Sequence, residues 1–126
     1  MIDIEKLIAI LTEEQPTIEF CCPLSDLIGY SIGTTNYSDS DYGNIHIRFY
    51  IKNNSLKITH LFLIKQSCGT GTKLIKFFIE QAKLNNYEKI EIVNVKSTNI
   101  LMKRLCKNFQ QEKINDDFVN YIYCLW

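Results

Sequence analysis

LKITHLFLIKQSCGTGTKLIKFFIEQAKLNN, residues 56–86, changes character twice. Leu56 to Ile64 is rich in β-formers, and Gln66-Ser67-Cys68-Gly69-Thr70-Gly71 is a glycine-rich turn. From Thr72 to Leu84 apolar residues recur at helical spacing, and Asn85-Asn86 ends the run. A strand, a glycine turn and a helix start in succession can hold an anion. The first N–H groups of a helix have no intrahelical acceptor, and the helix dipole places partial positive charge there. Glycine lets the main chain approach a ligand without a Cβ in the way. We read the turn as a pyrophosphate grip and the rest of the chain as a slot for what the pyrophosphate carries.

Two familiar glycine turns do not fit. The triphosphate P-loop needs G-x-x-x-x-G-K-[ST], but Gly71 is followed by Thr72-Lys73 and no glycine stands at Gln66. The dinucleotide pattern G-x-G-x-x-G, begun at Gly69, places its third glycine on Leu74, and it normally opens a fold near the N-terminus. A nucleotide-binding α/β domain is therefore the weakest alternative. The pattern Q/R-x-x-G-x-G/A is matched at every fixed position by Gln66, Gly69 and Gly71.

Outward from this turn the chain reads as alternating elements. Asp3 is a candidate N-cap for a helix carrying Ile4, Leu7, Ile8 and Leu11 at i, i+3, i+4, i+7, ending before Pro16. Thr17 to Cys22 and Leu27 to Gly33 read as short strands around a break at Pro23, and Thr34 to Asn44 as a polar loop. Ile45, Ile47, Phe49 and Ile51 alternate with His46, Arg48 and Tyr50, as in a strand with one buried face. Asn53-Asn54 can take the positive φ of a tight hairpin, so this run pairs antiparallel with Leu56 to Ile64. Ile90 to Val95 is almost continuously apolar, which predicts a central strand buried on both faces. The connection from Ile64 to Ile90 is then a right-handed crossover between parallel strands. Ser97 is a candidate cap for a helix over 98–108, and Phe118 to Leu125 is the last strand. The expected class is α/β, a single domain over 1–126 with a mixed, largely antiparallel sheet, a central parallel pair and helices on both faces.

Composition narrows the function classes. The chain has 126 residues and no net charge, but residues 1–50 carry eight acids against Lys6 and Arg48, while 51–126 carry twelve bases against six acids. A basic half around the glycine turn suits a polyphosphate, an acidic half suits a cationic amine, and both are equally compatible with solvated faces. Zero net charge argues against a nucleic-acid partner. No apolar run approaches the about 18 residues of a membrane span, and no signal pattern is seen, so the expected location is cytoplasmic. Five cysteines without a C-x-x-C pair read as reduced thiols, and His46 and His60 are not spaced with them as metal ligands.

The turn and its strand–helix surroundings resemble the GNAT superfamily of N-acetyltransferases, over roughly Leu56 to Phe109 plus the closing strand. The resemblance implies acetyl-CoA as acyl donor and an amine on a small molecule or protein as acceptor, attacked directly. It implies that the two parallel strands splay and that the pantetheine arm lies between them. By position Leu61, Phe62, Leu63 and Ile64 line the thioester end, Gln66 and Ser67 open the loop, and amides of Cys68, Gly69, Thr70, Gly71 and Thr72 hold the pyrophosphate. Lys73 and Lys76 are the nearest cations, and Asn99 lies close to the family's helix asparagine, two residues out of step. Cys68 contributes its amide in this reading and is not a nucleophile. The family's N-x-x-A-x-x-x-Y-x-x-x-G-F pattern, aligned on Phe109, puts Arg104 on the acid tyrosine and Asn108 on the glycine. The usual proton donor is absent. Substitute acid–base candidates are His60, Glu19 and Tyr121, with a structural reading open for each: the alternation mates of His60 (Ile58, Phe62, Ile64) are apolar, and Tyr121 and Tyr123 suit packing. A GNAT-like acyl-CoA-binding regulator without turnover is the second reading. Pairing through an exposed last strand would make a homodimer.

Overall fold

A computed structural model of the chain describes residues 2–14, 18–33, 46–62 and 69–125, the side chains of Glu14 and Phe62 excepted. The elements are α1 (Ile4–Glu14), β1 (Phe20–Pro23), β2 (Ile28–Gly33), β3 (His46–Lys52), β4 (Ser55–Phe62), α2 (Thr70–Leu84), β5 (Lys89–Lys96), α3 (Ile100–Leu105), β6 (Gln110–Lys113) and β7 (Phe118–Cys124). The strands form one seven-stranded sheet in the order β1-β2-β3-β4-β5-β7-β6. β4 and β5 are its parallel pair, joined through α2, and the remaining neighbours run antiparallel.

Local chemistry sets these elements. Asp3 Oδ1 accepts from Lys6 N at 3.1 Å and starts α1, whose Leu7 and Leu11 are fully buried. Asn53 and Asn54 take φ of 52° and 58° and turn β3 into β4. α2 buries Leu74, Ile75, Phe77, Phe78 and Ala82, and the Phe78 ring meets Phe49 of β3 edge-on, centroids 5.5 Å apart. Gln81 is buried on the same helix because its Oε1 accepts from Asp3 N at 3.0 Å, which ties the start of α1 to α2.

α1, α2 and α3 share one core against a single face of the sheet, formed by Ile32, Ile47, Phe49, Leu56, Ile58, Ile90, Ile92, Val95, Val119 and Tyr121. The mixed α/β class holds, but the described helices gather on one face, not two. β5 is correspondingly buried on one face, with Glu91 and Val93 only half-buried on the other.

Several expected boundaries move for physical reasons. Pro23 ends β1 instead of breaking before it, which an edge strand tolerates. α3 spans six residues rather than eleven, and its cap is Asn99, because the Ser97 hydroxyl donates to Asp116 O at 2.9 Å. β6, four exposed polar residues, carries no apolar signal and was not expected from the sequence. It places β7 between β5 and β6, so β7 is not an edge and a dimer cannot form by extending the sheet there. The edges are β1 and β6. Among the described residues no helix is long and apolar enough to cross a membrane.

Candidate functional site at the split between β4 and β5

The parallel ladder runs from Ser55–Lys89 to Ile58–Ile92 and stops. Both strands continue beyond it with other partners. β4 stays on β3 through Arg48–His60, Ile47–Leu61 and His46–Phe62, and β5 stays on β7 through Val95–Val119 and Lys96–Phe118. The sheet therefore parts along its middle while each half keeps an intact ladder. The implied splay is present.

Each strand carries a bulge where the split begins. On β4, Phe49 opposes Ile58 and Arg48 opposes His60, so Thr59 is an extra residue. On β5, the register slips between Ile92 and Val95, with Asn94 at φ 56° and its N–H donated to Asn120 Oδ1 at 2.9 Å. An extra residue reverses the alternation that follows it. His60 consequently leaves the face of Ile58 and stands with Arg48, Ser31 and His46 on the face away from the helices. The expectation that His60 shares a face with Ile58 is overturned by this one residue. Leu61 now takes the core side, opposite Ile47 and packed against the core.

The glycine turn enters the described residues at Gly69, which has φ 88° in the left-handed region and is the N-cap of α2. A Cβ there would meet nothing within 4 Å, so its glycine serves conformation and leaves open space before the helix. Across the first turn of the helix, Lys73 N donates to Gly69 O at 3.1 Å. Gly71 has a different reason: a Cβ would stand 2.9 Å from Leu105 Cδ1, because α3 presses on the first turn of α2. Lys73 Nζ is drawn to Glu13 Oε2 at 2.7 Å, an ion pair half-exposed at both ends. A half-exposed pair of this kind contributes at most about 1 kcal/mol.

The other expected residues fall in distinct places. Leu63, Ile64, Gln66, Ser67 and Cys68 lie outside the described residues, as does the side chain of Phe62. Asn99 Oδ1 accepts from Met102 N at 3.0 Å, which makes it the cap of α3. Tyr121 is 3% exposed on the core side, opposite Ile92. Burial, followed by the neighbouring Cys106, raises its phenol above the usual range, and burial pushes the Cys106 thiol up to about 12. Glu19 is exposed, its main-chain N–H donated to Gly33 O at 2.9 Å, and Arg104 is exposed on α3. The structure thus brings His60, Leu61 and Phe62 to the split and Gly69 to Thr72 to the helix start. It puts Tyr121 on the other face of the sheet from His60. His46, stacked on His60, was missed from the sequence. Its signal was the polar phase of β3, which it shares with Arg48, but the bulge that unites the two histidines leaves no mark in the composition.

No family model matches the chain, and no curated protein matches it. Solved structures do. A Bacillus subtilis acetyltransferase in complex with CoA superposes at TM-score 0.56 and 17% identity, covering 79% of this chain and 78% of that one. An IAA acetyltransferase from Bacillus cereus gives 0.54 and 15%, covering 77% and 78%. The PaiA N-acetyltransferase of Thermoplasma acidophilum in complex with coenzyme A gives 0.55 and 18%, covering 79% and 61%. The chain has the GNAT acyl-CoA N-acyltransferase fold.

Proposed function

We propose that this protein is an acyl-CoA-dependent N-acyltransferase, with acetyl-CoA as donor and an amine of a small molecule or protein as acceptor, working in the cytoplasm. The observation that carries the reading is the ladder that ends at Ile58–Ile92 while β4 and β5 both run on. A parted parallel pair beside a left-handed glycine at a helix start suits a long ligand with a diphosphate at one end. The amides at the start of α2 take the diphosphate, and the main chain of β4 beyond the bulge flanks the arm with the thioester. Solved neighbours of the same fold in complex with CoA support it.

In this reading the amine attacks the thioester carbonyl, the C–N bond forms and the C–S bond breaks. His60, beside the split, is the acid–base candidate that this geometry favours over Glu19 and Tyr121. Thermal-shift titration tests the first half: at one hundred times Kd, acetyl-CoA should stabilise the protein by about 2.7 kcal/mol, and ATP or NAD should not. No shift with acetyl-CoA or CoA overturns the reading. Release of thiol from acetyl-CoA across a panel of amines tests the second half. The alternative, an acyl-CoA-binding regulator, is favoured by α3, where Asn99 is spent on a cap and Arg104 occupies the family's tyrosine position. A shift without turnover would select it.

A further inference from the structure

The face beside the split holds two imidazoles, not one. The rings of His46 and His60 stack with centroids 4.5 Å apart and planes inclined by 24°. Ser31 Oγ lies 3.1 Å from His46 Nε2, and Thr59 Oγ1 lies 3.0 Å from His60 Nδ1. Phe20 meets the His46 ring edge-on, centroids 6.4 Å apart. The row Ser31, His46, His60, Thr59 thus crosses β2, β3 and β4 and ends on the strand that borders the opening. The two hydroxyls and the phenyl edge fix the rings.

We propose that His46 and His60 act as one coupled proton-holding pair, in which His60 takes the proton of the acceptor amine and His46 governs when His60 can do so. This rests on the acyltransferase reading above. Two imidazolium charges this close repel, so the pair titrates in two separated steps instead of two independent ones. Arg48, directly opposite His60 and Ser31 in the ladders, adds a positive charge to the same face. Cys22 lies in the same row on β1 and Glu19 just before that strand, while Lys57, Glu91 and Lys89 form their own ion-paired group further down the sheet. A solitary histidine is half-charged at about pH 6.5. In the pair, a proton on His46 keeps His60 neutral to lower pH, so the base remains available where a single imidazole would be lost.

The proton balance is simple. An ammonium acceptor gives one proton to His60 and attacks as the free amine. As the C–N bond forms and the C–S bond breaks, a second nitrogen proton is lost and the departing thiolate takes one up. One proton leaves to solvent, from His60 or past it through His46. His46 is therefore a positioning residue and His60 the catalytic one.

The chain contains two histidines, so ring resonances in an NMR titration are assigned by removing either one. The wild-type protein should show two midpoints at least one pH unit apart. In His46→Gln, His60 should titrate once, at a midpoint raised by about one unit. Two midpoints close together and indifferent to removal of the partner would overturn the pair. In turnover, His46→Gln should move the acid limb of kcat/KM up by about one unit, whereas His60→Gln should lower the rate at every pH. An unmoved acid limb in His46→Gln would overturn the catalytic role of the pair. The acetyl-CoA thermal shift should be the same in all of these proteins. Its absence in the wild type would sink the acyltransferase reading and the catalytic role with it, while the titration would still decide whether the histidines are coupled.

Discussion

The lower half of the β4–β5 pair is zipped and the upper half is open, although both halves are built from β-forming residues. In the lower half, Leu56, Ile58, Ile90 and Ile92 bury their side chains under α2. Glu91 holds Lys57 across the ladder at 3.4 Å and Lys89 at 2.8 Å. Glu88 N donates to Asn54 O, and Leu125 N to Glu88 O, each at 2.8 Å, which locks the main chain below. In the upper half both strands carry one extra residue and follow their outer neighbours. What separates the two halves is continuity of register. The opening is therefore made by bulges and held by the closed end beneath it.

This contrast can be broken at three depths. Ile58→Ala, at the last closed pair, should have the largest effect. Truncating a fully buried isoleucine costs about 2–5 kcal/mol, read as the change in urea midpoint, and a loss below about 1 kcal/mol would mean that the closed end does not hold the opening. Gly71→Val comes next. Its side chain must displace Leu105, so it should cost about 1–3 kcal/mol through overpacking as well as abolish the acetyl-CoA shift. That mixture makes it a poor probe alone. Combining Gly71→Ala with Leu105→Ala relieves the clash, and if this pair regains stability and the acetyl-CoA shift together, the first turn of α2 is packing and not a ligand contact. Glu91→Gln should be the mildest, about 0.2–1 kcal/mol for a partly exposed ion pair. Burial pushes the Glu91 carboxyl upward, but the hydrogen bond from Lys89 and the charge of Lys57 outweigh it and leave the group below its ordinary 4.5. Its contribution is thus present above about pH 4.5 and lost as pH falls through the lowered value. The variant should be flatter than the wild type in acid denaturation over that window.

What could be read from the sequence was what repeats or what is chemically loud. Gly69 and Gly71, the stripe on α2, the Asn53-Asn54 turn and the Asp3 cap each announce themselves through a local rule, and together they specify the crossover from β4 to β5. Gln110 to Lys113 announce nothing, because an exposed edge strand needs main-chain pairing with β7 and no apolar side chains. Ser97 and Asn99 are both good caps, and the competing acceptor, Asp116 O, comes from a turn that sequence alone does not bring near. Tyr121 carries the right functional group on the wrong face, which period-2 counting reveals only once β7 is known to run antiparallel to β5.

The bulge at Thr59 behaves like a frameshift written in side chains. Counted from the hairpin, an uninterrupted β4 would aim His60 at the core beside Ile47 and turn Leu61 outward; the extra residue exchanges them. Deleting Thr59 would restore the reading frame, and with it send an imidazole under the helices and a leucine into the open. The chain's candidate chemistry thus hangs on one residue of length, a parameter that substitution scanning would leave untouched.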